Sequence, residues 1–170
     1  LAAVEYDRFA DGETLVRVPE TDDRAVVVAS TVSDAAHVEL FQLQDAARQR
    51  ADEVVTVLPY MGYGRQDEAF EAGQPVSARA VARAISTGTD RVLTVNPHEE
   101  AVTDFFDVPC SSIDAAGRLA EPLPDLSEPL FLSPDSGAIE LAEAVAEAYG
   151  EGETDYFEKV RHSDTRVEIR

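Results

Sequence analysis

Short runs of apolar, mostly β-branched residues recur along the chain, each followed by an amphipathic stretch, and this alternation constrains the fold more than any other feature. Residues 14–18, 25–30, 54–58, 91–95 and 130–133 read as strands, several of them near-continuously apolar, the pattern of a sheet covered on both faces. Helical stretches lie between them. Residues 34–50 place Val38, Phe41 and Ala46 toward one side, and Ser77 stands as a cap for a helix over 78–86. The clearest helix spans 137–149, with Ile139, Ala142, Val145, Ala146 and Tyr149 at 3.6-residue spacing and Glu140, Glu143 and Glu147 on the solvated face. Strands alternating with helices imply an α/β fold with a parallel sheet built from βαβ units. Ligands of such sheets bind beyond the carboxyl ends of the strands. The loops to inspect are therefore 59–75, 96–100, 133–137 and whatever follows Tyr156 and Phe157.

Size and charge narrow the function. With 170 residues, 44% of them hydrophobic, the chain has room for one domain, or one domain and part of a second. Its 34 Asp and Glu against 14 Lys and Arg give a formal charge of −20, which excludes nucleic acid as the main partner. The carboxylates are spread from Glu5 to Glu168 with no run of five like charges, so the acidity belongs to the whole surface. Such a surface repels itself until salt shortens the screening length, to roughly 3 Å at 1 M. Among the 14 cationic residues Lys159 is the one lysine. Acidity and near-loss of lysine together point to a halophile's cytoplasmic protein. Cys110 is the single cysteine, which rules out an internal disulfide and suits a reducing compartment. No stretch approaches the roughly 18 apolar residues of a membrane span, and no membrane partner is expected. Pro122, Pro124 and Pro129 mark residues 121–129 as a surface connector near a domain junction.

Each strand-end loop carries candidate chemistry beside a plainer reading. Arg65, Gln66 and Asp67 lie in a loop with Gly62, Gly64 and Gly73; the guanidinium suits a phosphate and its neighbours a purine or ribose, while the plainer reading is an Arg65–Asp67 salt bridge. His98 follows a strand through Asn96 and Pro97, where an imidazole can reach a metal or phosphate, or simply face solvent. Asp135, between a strand and a helix, can hold Mg²⁺ or cap the helix. Lys159, next to Arg161 after a short strand-like run, is a compact cation suited to developing phosphate charge. Neither a Gly-Lys-Ser/Thr phosphate loop nor a GxGxxG turn is present.

Taken in order, these stretches resemble the ribose-phosphate diphosphokinase family, the phosphoribosyl diphosphate synthetases. Pro59-Tyr60-Met61-Gly62-Tyr63-Gly64-Arg65-Gln66-Asp67 is similar to the family's Pro-Tyr-x-x-Tyr-Ala-Arg-Gln-Asp, and Gly73-Gln74-Pro75-Val76-Ser77-Ala78 to its Gly-x-Pro-Ile-Ser-Ala. Arg8-Phe9-Ala10-Asp11-Gly12-Glu13, Asp90 to Val95, Phe105-Phe106-Asp107-Val108-Pro109 and Ser133-Pro134-Asp135-Ser136-Gly137 keep the family's order.

The resemblance implies two related phosphoribosyltransferase-like domains, here residues 1–114 without an opening strand and 115–170 as the first part of a second domain. It implies transfer of the β,γ-diphosphoryl group of Mg-ATP to O1 of ribose 5-phosphate, leaving AMP. Phe9, Asp11 and Glu13 would touch adenine from a neighbouring subunit of a homo-oligomer, and Arg65, Gln66, Asp67 and His98 would bind ATP. His98, Asp107 and Asp135 would serve Mg²⁺, Asp135 also ribose 5-phosphate, and Lys159 and Arg161 would form the catalytic pair on a flexible loop. Two departures stand out: Asn96-Pro97-His98 replaces the family's Asp-Leu-His, and the chain ends at Arg170, before the acidic loop that takes the sugar phosphate. They motivate the alternative of a non-catalytic regulatory relative that assembles with the enzyme.

Overall fold

The computed structural model describes residues 2–163 and 166–169, with the backbone alone at 159–163, 166, 167 and 169. The chain divides into two units, Leu1–Ile113 and Asp114–Arg170. No helix among the described residues is long and apolar enough to cross a membrane.

The first unit opens with an antiparallel hairpin, β1 (Glu5–Arg8) and β2 (Thr14–Arg17). A parallel sheet follows in the order β3 (Arg24–Val28), β4 (Glu53–Leu58), β5 (Arg91–Val95), β6 (Cys110–Ile113). Helix α1 (Asp34–Arg48) connects β3 to β4, α2 (Ser77–Ser86) connects β4 to β5, and a 3-10 segment, Glu100–Phe105, leads toward β6. Each strand is added on the same side of the last, so right-handed crossovers put α1 and α2 on one face. That face is buried: Val54, Leu58 and Val92 are inaccessible, packed with Leu40 of α1 and Ala78, Ala82 and Ile85 of α2. Burying each of the larger side chains contributes roughly 1.5–3 kcal/mol.

Two sequence expectations change here. On the opposite sheet face Val26 is 57% and Val28 62% exposed, so the apolar runs do not mark a sheet fully covered on both sides. The buried stripe of α1 is His37, Leu40, Leu43, Gln44 and Ala47, whereas Val38 faces solvent. Two polar members hide this stripe from a hydrophobicity count. Gln44 is buried because both protons of its amide are used: Nε2 donates to Thr56 Oγ1 at 2.9 Å and to the Ile85 carbonyl at 3.1 Å, tying α1, β4 and α2 together. Gln42 ties the hairpin to α1, accepting from Val16 N–H at 3.1 Å and donating to the Thr14 carbonyl at 2.9 Å.

The second unit holds α3 (Ala116–Ala120), then a βαβ unit of β7 (Leu130–Ser133), α4 (Ile139–Tyr149) and β8 (Glu153–Tyr156), whose strands pair in parallel. An antiparallel ribbon, β9 (Lys159–Ser163) and β10 (Arg166–Ile169), follows. A 3-10 turn, Ser136–Ala138, takes the start of the expected 137–149 helix. Helix α4 ends at Gly150, whose φ of 105° is the left-handed geometry that glycine adopts without a Cβ penalty. The proline-rich connector lies inside this unit: the Tyr149 hydroxyl donates to the Pro124 carbonyl at 2.9 Å and accepts from Leu126 N–H at 2.7 Å.

Candidate functional site

The loop after β4 meets the loop after β5 at the carboxyl ends of their strands. A β-carbon on Gly64 would stand 3.9 Å from His98 Cβ, so the segment carrying Arg65, Gln66 and Asp67 runs beside the exposed His98. Gln66 is the fixed member. Its N–H donates to the Tyr63 carbonyl at 3.1 Å, its carbonyl accepts from Ala78 N–H at 3.1 Å, and its side-chain oxygen accepts from the Ser77 hydroxyl at 2.5 Å. Ser77 therefore does not cap α2: it is the first residue of that helix, and its hydroxyl secures the loop. Arg65 is exposed and forms no ion pair with the described residues, which removes the Arg65–Asp67 salt bridge as the reason for this arginine. An unpaired guanidinium fork in a strand-end loop can take a phosphate bidentately.

The turn before Arg65 is held by side chains that sequence reasoning missed. Tyr63 has φ 63°, a left-handed conformation that costs an L-residue roughly 1–2 kcal/mol. Its hydroxyl donates to Asp34 Oδ1 at 2.6 Å, and this hydrogen bond, then the carboxylate's charge, raises the phenol's pKa. Thr31 and His37 pack under the same turn. The signal available in the sequence was the recurrence of His37, Leu40 and Gln44 at helical spacing, with a histidine where a core residue belongs.

The other candidates are placed as follows. Phe9, Asp11 and Glu13 occupy the exposed tip of the β1–β2 hairpin, where Asp11 Oδ1 accepts from Glu13 N–H at 3.3 Å and Phe9 remains 54% exposed. Asn96 adopts φ 38°, and its N–H donates to the Ile113 carbonyl at 3.1 Å. Among non-glycine residues Asn and Asp tolerate that conformation best, so the departure from the family's Asp preserves the backbone of the turn. Asp107 is not brought to His98. Its N–H donates to the Ser86 hydroxyl at 3.0 Å, which sets it at the amino end of the sheet, whereas His98 follows the carboxyl end of β5. Asp135 follows β7 and caps the 3-10 turn, its Oδ1 accepting from Gly137 N–H at 3.1 Å. Lys159 and Arg161 stand two residues apart on β9, in a paired ribbon rather than an irregular loop, and their side chains lie outside the described residues.

Among the described residues no three His, Cys, Asp or Glu side chains gather into a metal cage. Mg²⁺ bound to a nucleotide does not need one, since it keeps waters and phosphate oxygens and takes one or two protein ligands. Asp135, half-buried at a strand end, fits that requirement as an oxygen donor, and the exposed His98 offers an imidazole at the end of β5.

Residues 1–88 match the family model described as the N-terminal domain of ribose phosphate pyrophosphokinase. The chain belongs to the ribose-phosphate pyrophosphokinase family. A ribose-phosphate pyrophosphokinase of Halobacterium salinarum is 64% identical over 173 aligned residues, covering 99% of this chain and 62% of the relative. That of Methanopyrus kandleri is 46% identical, covering 99% of this chain and 60% of the relative. The crystal structure of phosphoribosylpyrophosphate synthetase from Mycobacterium smegmatis superposes with a TM-score of 0.72 at 28% identity, over all of this chain and 59% of that one. The chain thus spans about three fifths of the length of these pyrophosphokinase relatives. The phosphoribosyltransferase-like α/β fold expected from the sequence is the fold found, and the regulatory alternative draws no support from these relatives.

Proposed function

We propose that this chain carries the nucleotide-binding part of a ribose-phosphate diphosphokinase, an ATP-dependent cytoplasmic enzyme of nucleotide biosynthesis adapted to high salt. The observation that carries the reading is the convergence of the Arg65–Gln66–Asp67 segment and His98 at the carboxyl ends of β4 and β5. It is the position where parallel α/β sheets bind their ligands.

In this reading Arg65 forks onto ATP phosphates, while the half-buried Gln66, held to the start of α2, and its half-buried neighbour Asp67 orient the nucleoside. His98 stands against the phosphates. The hairpin tip with Phe9, Asp11 and Glu13 reaches the adenine of a neighbouring subunit, which gives the exposed Phe9 an intermolecular purpose and makes the ATP site a property of the homo-oligomer. The second unit begins a further phosphoribosyltransferase-like domain, in which Asp135 serves ribose 5-phosphate and Mg²⁺. When bound, Mg²⁺ neutralises phosphate charge. The O1 hydroxyl of the sugar attacks the β-phosphorus of ATP in line and gives up its proton to solvent; the new O1–P bond forms as the bond from the β-phosphorus to the bridging oxygen breaks, and AMP departs with that electron pair. Lys159 and Arg161 stabilise the charge on the group in transfer.

The high-salt part of the proposal rests on the −20 charge and on the 64% identity to a Halobacterium protein. The reaction is tested by nucleotide analysis of the complete gene product in molar KCl with Mg²⁺, ATP and ribose 5-phosphate. Sugar-dependent AMP is expected; ADP in its place would make the enzyme an ordinary kinase.

A further inference from the structure

A chain of contacts links the start of α1 to the loop that carries Arg65. Thr31, fully buried, donates its N–H to the Tyr60 carbonyl at 3.0 Å and accepts from Gly62 N–H at 2.8 Å through its hydroxyl. His37, 6% exposed, sits 2.9 Å through Nδ1 from the Ser33 carbonyl. A carbonyl only accepts, so Nδ1 carries the proton. The ring presses on Gly62, where a β-carbon would come within 2.9 Å of His37 Cε1, and it tilts at 54° against the Tyr63 ring with 5.5 Å between centroids. The Tyr63 hydroxyl reaches Asp34, and the Tyr63 carbonyl accepts from Gln66 N–H. Tyr63 is thereby held at its hydroxyl, its ring and its carbonyl, in a backbone conformation that an unsupported tyrosine would leave.

We infer that Tyr63 is a positioning residue for nucleotide binding: anchored on Asp34 and seated on His37, it sets the turn from which Arg65, Gln66 and Asp67 project. The inference rests on the assignment of that segment to ATP. It adds that affinity depends on Asp34 and His37, which belong to the first turn of α1 and contact the turn around Tyr63. Misplacing a binding group by about 1 Å is enough to cost orders of magnitude in a tuned site. The hydroxyl of Tyr63 is spent on this anchor at the surface, where it adds little to global stability.

The test measures Mg-ATP dissociation constants by titration calorimetry on the complete gene product in molar KCl, beside melting temperatures. Tyr63→Phe, which keeps the ring on His37, is expected to weaken Mg-ATP binding about tenfold with an unchanged melting temperature. Asp34→Ala should match that loss, the double variant should lose no more than either single change, and Asp34→Asn, which retains an acceptor oxygen, should restore most of the affinity. Arg65→Ala is measured in parallel. Native affinity in Tyr63→Phe with a large loss in Arg65→Ala overturns the positioning role and leaves the ATP assignment standing. Native affinity in Arg65→Ala overturns that assignment, and the positioning role with it. Additive losses in the double variant also overturn the inference, because they would mean that Tyr63 and Asp34 act separately.

Discussion

The two units share a βαβ plan yet differ in what they bury. The first packs Leu40, Val54, Leu58, Ile85 and Val92 out of reach of solvent around one sheet face. In the second, the buried apolar side chains among the described residues are Ala116, Ala120 and Ala146, while Leu130, Leu132, Tyr156 and Phe157 are each more than 40% exposed. A core of alanines removes little apolar area from water, so the first unit holds most of the chain's hydrophobic stabilisation. The proposed nucleotide loop thus stands on the unit with the larger apolar core. The residues proposed for the transferred group, Lys159 and Arg161, stand on a ribbon of the thinner one. Binding groups gain from a fixed scaffold, and elements that must move are drawn from the less stable parts of a fold.

The largest effect that can break this comparison is a cavity. Leu40→Ala should destabilise the first unit by about 2–5 kcal/mol, and Ala146→Gly the second by only about 1 kcal/mol. Hydrogen exchange resolved by unit reads both. Equal losses would erase the difference between the cores.

Next comes Gly62→Ala. Its β-carbon would clash with the Thr31 carbonyl oxygen, and because that atom is backbone the loop itself must shift. A cost of about 1–3 kcal/mol is expected, with a matching loss of Mg-ATP affinity measured by calorimetry. A neutral result would mean that the contact between the β3 and β4 loops is not needed.

The smallest effect concerns acid. The Asp90 carboxylate accepts from Val54 N–H at 2.7 Å and pairs with Arg48 at 2.7 Å. The backbone hydrogen bond first, and the arginine second, hold its pKa below the usual value. A depressed carboxylate pKa gives stability that is complete above the unfolded-state value, about 3.9, and is lost as pH falls through the folded value. Asp90→Asn should therefore flatten that acid limb of the first unit's stability curve, followed by denaturant unfolding at stepped pH. With the pair partly exposed, the change is expected to stay near 1 kcal/mol or below.

Which parts of this molecule were legible depended on whether hydrophobicity or tertiary pairing decided them. The strands Arg91–Val95 and Leu130–Ser133 follow from apolar runs and have the expected bounds. Strands β1, β6 and β8 are four residues long, and Glu5-Tyr6-Asp7-Arg8 or Cys110-Ser111-Ser112-Ile113 carries no apolar run to announce them. Partners in the sheet make them strands. The face of α1 was misread because His37 and Gln44 are buried by hydrogen bonds that only the packed structure reveals. At the site, the glycines around Arg65 made the loop conspicuous. Thr31, Asp34 and His37 were silent because their role comes from a neighbouring crossover some 30 positions earlier in sequence.

The central claim is that the loops after β4 and β5 hold the nucleotide. Hydrogen exchange on the complete gene product in molar KCl, with and without saturating Mg-ATP, tests it most directly. The predicted result is slowed exchange at residues 59–75 and 96–100, extending to the first turn of α1 through Tyr63 and Asp34. Saturation by ATP with no change in exchange at residues 59–75 would contradict it.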